Sequence, residues 1–116
     1  MSSTELLAEL VGVYASTHPR DTGRLLLSLP SEQVTAFLAD AAPATAAVVL
    51  QGMPIMAAGH YISLLEVSIA AGILRALPAD LVAHLLRDEE QSRRDSVLET
   101  LPAEFSRQVR HHLDQT

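Results

Sequence analysis

The side chains in this chain best suited to metal or proton chemistry are its histidines and carboxylates, and two histidines recur at a fixed distance. His60 and His84 are 24 residues apart, and Asp80 precedes His84 by one helical turn. Imidazole with carboxylate is a donor set for zinc or nickel. Glu32, Asp80 and Glu104 form a second regular series, each two residues after a proline. His111 and His112 are adjacent and would point to different sides of a helix. With no cysteine, disulfides and thiolate metal sites are excluded. No nucleophile–base pairing, glycine-rich phosphate loop or paired-carboxylate motif is present, and the chain reads as non-enzymatic.

The elements that must position these residues are set by repetition. Leu29-Pro30, Met53-Pro54, Leu77-Pro78 and Leu101-Pro102 follow one another at intervals of 24 residues, and Pro19 and Pro43 form a second set half a period away. Periods of this length mark stacked-repeat architectures. The four units are residues 18–41, 42–65, 66–89 and 90–113. Their eighth positions are Leu25, Val49, Ile73 and Val97, and their ninth Leu26, Leu50, Leu74 and Leu98. Position 12 holds Leu29, Met53, Leu77 and Leu101, and position 20 holds Phe37, Tyr61, Leu85 and Val109. Position 21 is Leu38, Ile62, Leu86 and then Arg110. Apolar positions 8, 9 and 12 return 12 residues later, so each repeat is two half-units, each a short helix and a tight turn.

The expected fold is an all-α superhelix, right- or left-handed, of about nine short helices in four repeats. Residues 1–17 supply a capping helix, with Ser2 and Glu5 as a capping box, residues 18–113 the repeats, and residues 114–116 a tail. Proline suits the first helical position, where its missing N–H costs nothing. Glu32, Asp80 and Glu104 then fall at positive helix ends, and helix-end electrostatics accounts for that series without a metal. Gly23 shares its repeat position with Ala47 and Ala71, which fits close helix approach. His60 and His84 share position 19 with Ala36 and Gln108, the pattern of a half-exposed flank. The charged run 88–95 reads as a solvated face, and Arg110, His111 and His112 as a polar terminal cap.

Composition narrows the partners. Only Phe37, Phe105, Tyr14 and Tyr61 are aromatic, so the core is aliphatic, and the net charge of −6 argues against nucleic acid. All eight basic residues are Arg. The start has no basic and apolar leader pattern, which makes the cytoplasm the expected location. Residues 41–65 carry no charge, a length able to span a bilayer, but Pro43 and Pro54 would break such a helix. That stretch instead reads as a central repeat. Its Ile55, Met56, Tyr61, Ile62 and Leu64 exceed one buried face, which makes Ile55, Met56, Tyr61 and Ile62 candidates for partner binding or homodimerisation.

The run His18-Pro19-Arg20-Asp21-Thr22-Gly23-Arg24-Leu25-Leu26-Leu27-Ser28-Leu29-Pro30-Ser31-Glu32 resembles the half-repeat of the cytoplasmic N-terminal domain of MgtE-type magnesium transporters. The resemblance covers about residues 17 to 113. It implies a superhelix of short helices that precedes a pair of CBS domains and a membrane channel. It also implies a regulatory role in which surface acids help bind Mg2+, the one cofactor it suggests. The family's late acidic motif, however, falls on Ser92, Arg93 and Ser96, with Asp95 one residue away. The expected domain is thus a regulatory or docking module whose magnesium-sensing acids are largely replaced. Asp95, Glu90, His60 and His84 are the remaining metal candidates. Thr17-His18-Pro19-Arg20 is also similar, through its His-Pro core, to the middle domain of the flagellar switch protein FliG. That resemblance implies a standalone interaction scaffold.

Overall fold

The computed structural model describes Val13, Tyr14 and residues 17–115. Eight helices follow in order: α1 (Pro19–Leu26), α2 (Ser31–Asp40), α3 (Pro43–Gln51), α4 (Ile55–Leu64), α5 (Val67–Leu74), α6 (Ala79–Leu86), α7 (Gln91–Thr100) and α8 (Ala103–Asp114). No strand occurs among the described residues. The expected capping helix falls almost wholly outside them, so eight of the nine expected helices are seen. The last helix runs through Asp114, into the segment read as a tail.

Each helix packs mainly on the helix two places away. Thus α1, α3, α5 and α7 form one row and α2, α4, α6 and α8 a second, with further contacts across the rows between α3 and α4 and between α7 and α8. This follows from two half-units per repeat: equivalent helices have equivalent apolar faces and stack on one another. The Cα extents, 44 × 23 × 22 Å, are those of a short stack.

The repeat positions form the core. Leu26, Leu50, Leu74 and Leu98 at position 9 are all buried, as are Leu38, Ile62 and Leu86 at position 21. Arg110, the fourth member of that column, is exposed. At position 8, Val49, Ile73 and Val97 are buried, whereas Leu25, in the first helix of the described stack, is 49 % exposed.

The turns divide the prolines into two kinds. Pro19 and Pro43 are the first residues of their helices, as expected. Pro30, Pro54, Pro78 and Pro102 instead stand one place earlier, as extended N-caps with φ between −54° and −60°. Their carbonyls open the next helix: Pro30 accepts from Gln33 and Val34, and Pro102 from Ser106 at 2.8 Å. Proline's fixed φ suits either place, and at the N-cap its lack of an N–H is equally free of cost. Glu32, Asp80 and Glu104 do lie in first turns, but no cap side chain forms a hydrogen bond there. Their contribution is to the helix dipole.

The backbones come close where α1 packs on α3. A methyl group placed on Gly23 would overlap the Val49 carbonyl oxygen and lie 3.0 Å from the Gly52 carbonyl carbon. Only glycine lets two backbones approach this closely, while Ala47 and Ala71 fill the equivalent buried positions in later repeats. The close approach expected at this column is therefore real, and strictest in the first repeat.

Candidate functional site

His60 lies on α4 and His84 on α6, neighbours in one row. Both are exposed, as are Ala36 and Gln108 at the same repeat position, so this column is an outer flank. The two histidines line one groove of about 260 Å³ with Ile55, Met56, Gly59, Ser63, Leu85, Asp88 and Glu89. Arg87 Nη1 stands 3.4 Å from His84 Nδ1. Among the described residues no three His, Asp or Glu side chains come together in a way that could hold a metal ion.

The other two metal candidates lie elsewhere. Glu90 is the exposed N-cap of α7, and its carbonyl receives the Arg94 N–H at 2.9 Å. Asp95 is half-buried in a separate cavity with Arg87, Arg94 and Arg110. The four candidates therefore do not form one site.

Arg93, where the resemblance leads one to expect an acid, is fixed by the fold. Its Nη2 donates to the Ile62 carbonyl at 2.8 Å and also to the Leu65 carbonyl. These carbonyls lie at the C-terminal end of α4, where a cation meets the negative pole of the helix. Its Nε lies 3.5 Å from Glu89 Oε1, an ion pair rather than a hydrogen bond. Glu89 occupies position 24 of its repeat, where an earlier repeat has buried Leu65, and its side chain is only 8 % exposed. A largely enclosed carboxylate is favoured by a nearby cation, and Arg93 one turn later supplies it. The i, i+4 spacing of Glu89 and Arg93 was a visible signal for this pair. The reach of Arg93 to α4 had none, because it joins residues 31 and 28 apart in the sequence.

The uncharged repeat divides its apolar residues between two faces. Tyr61 and Ile62 are core residues, 7 % and 0 % exposed, which removes them from the candidate partner surface. Their side chains face the stacked row because positions 20 and 21 are buried columns of the repeat. Ile55, Met56 and Leu64 are exposed, Met56 to 86 %. Ile55 also borders a small apolar pocket of about 80 Å³ formed with Leu50, Met53, Leu77, Leu81 and Leu85. No helix among the described residues is long and apolar enough to cross a membrane.

Comparison with family models matches residues 17–115 to the MgtE intracellular N domain. Comparisons with curated proteins and with solved structures gave no match.

Proposed function

The chain belongs to the MgtE intracellular N domain family, and from that premise we propose that it is a non-catalytic intracellular regulatory or docking domain whose magnesium-sensing acids have been replaced. The observation carrying this reading is Arg93, a cation at the acidic motif's position whose guanidinium is committed to the end of α4 and to Glu89. A divalent cation placed beside that guanidinium would meet like charge, and moving Arg93 aside would leave Glu89 buried and unpaired. The domain would then convey contact with a neighbouring CBS or membrane domain without requiring Mg2+ at this position. Fractionating source cells and measuring the mass of the endogenous product tests the regulatory role. This reading expects a membrane-associated product several times larger than 12.5 kDa. A freely soluble product of about the present mass would overturn it.

The exposed Ile55, Met56 and Leu64 favour a second reading, a standalone helical scaffold that pairs with a second copy of itself. Residues 41–65 carry no charge in a chain of net charge −6. Two copies would meet there with the least electrostatic repulsion.

A further inference from the structure

Three of the eight arginines converge on one cavity of about 460 Å³ at the end of the stack. Arg87 comes from the C-cap of α6, Arg94 from α7 and Arg110 from α8. Leu98 and Leu113 give the cavity apolar walls, and Gln91, Asp95 and Asp114 complete its lining. Arg94 is held in place by its Nη1 donating to the Arg87 carbonyl at 3.3 Å. The Nε of Arg87 is buried without a hydrogen-bond partner. The ion pairs among the described residues join Arg93 to Glu89 and Arg107 to Glu104, so none of the three cavity arginines has a carboxylate within 4.0 Å.

This arrangement is costly for a protein with no ligand there. Three arginines lining one space repel one another, although Arg87 also reaches His84 through Nη1, and an acidic chain has carboxylates to spare for neutralising them. Guanidinium is also the side chain best matched to planar or tetrahedral oxyanions, through paired N–H donors. The two rim aspartates leave the lining one positive charge in excess, enough to balance a singly charged anion. The apolar walls and the volume suit a group larger than a bare ion.

We propose that this cavity binds a small organic oxyanion, a carboxylate or phosphate group on an apolar body, through Arg87, Arg94 and Arg110. The site is independent of magnesium sensing and of the uncharged repeat, and the regulatory reading can fail without affecting it.

Titration of the whole chain with benzoate and with phenyl phosphate, followed by amide chemical shifts at constant ionic strength, tests the site. Saturable shifts centred on α6, α7 and α8 are expected, and the tighter probe identifies the head group. Arg94→Gln and Arg110→Gln should each weaken binding about tenfold, the loss typical of one charged hydrogen bond. Arg110 is exposed and makes no ion pair, so its variant should fold even if the Arg94 variant does not. Arg75→Gln, an exposed arginine outside the cavity, changes net charge equally and should leave affinity unchanged. No saturable binding of either probe would overturn the assignment, as would equal affinity in wild type and Arg110→Gln.

Discussion

Arg93 donates a hydrogen bond to the carbonyl of Ile62 at 2.8 Å, tying the third residue of α7 to the last turn of α4. The same guanidinium pairs with Glu89, whose carboxylate occupies a position that is apolar one repeat earlier. The position expected to carry a metal-binding acid thus serves as a structural clasp.

Breaking that clasp should be expensive. Arg93→Met leaves Glu89 without its cation, and removal of one partner of a buried pair costs about 3–5 kcal/mol. Because Arg93 is partly solvated, the loss should fall toward the lower end. The double variant Arg93→Met, Glu89→Leu should recover most of it, since Leu is the residue of the preceding repeat at that position. Urea unfolding of the two variants measures the difference. Equal stability of the single and double variants would show that the pair is not coupled.

Two glycines should respond to alanine with opposite signs. Gly23→Ala pushes a methyl into the Val49 carbonyl at the α1–α3 crossing, and overpacking of this kind costs about 1–3 kcal/mol. Gly72, within α5, leaves open space where a methyl would go, with no atom within 4 Å. Gly72→Ala should therefore stabilise by about 0.5–1 kcal/mol through helix propensity. Thermal unfolding of both variants reads the two signs directly.

Met56 stands 86 % exposed on α4. If the chain pairs with a second copy, Met56→Glu should abolish any concentration-dependent association seen by sedimentation while leaving the helical content unchanged. Association that persists in the variant would place the contact elsewhere.

His60 and His84 are solvent-facing and share a groove without a third ligand. Replacing both with Ala should change stability by no more than about 0.5 kcal/mol, the usual range for surface substitutions. Elemental analysis of the purified protein should give no bound zinc or nickel. Stoichiometric metal lost in the double variant would revive a metal centre there.

Much of the architecture could be read from the spacing of Leu-Pro and of positions 8, 9, 12, 20 and 21, because stacked repeats put equivalent residues in equivalent burial. Leu26, Leu50, Leu74 and Leu98 show how directly that works. Periodicity could not say which of Ile55, Met56, Tyr61 and Ile62 face outward, since all four are apolar and only the helix phase separates them. Nor could it place the prolines at N-cap rather than first-turn positions, because a fixed φ fits both. The convergence of Arg87, Arg94 and Arg110 was hidden for a different reason: it depends on three helices meeting at one end of the stack.

The proposed exchange of magnesium-sensing acids for a structural arginine is tested most directly by calorimetric titration of Mg2+ into the whole chain. No saturable heat at micromolar Mg2+ is expected, and no change in unfolding temperature beyond that of an ionic-strength control. Tight, stoichiometric Mg2+ binding would contradict the proposal.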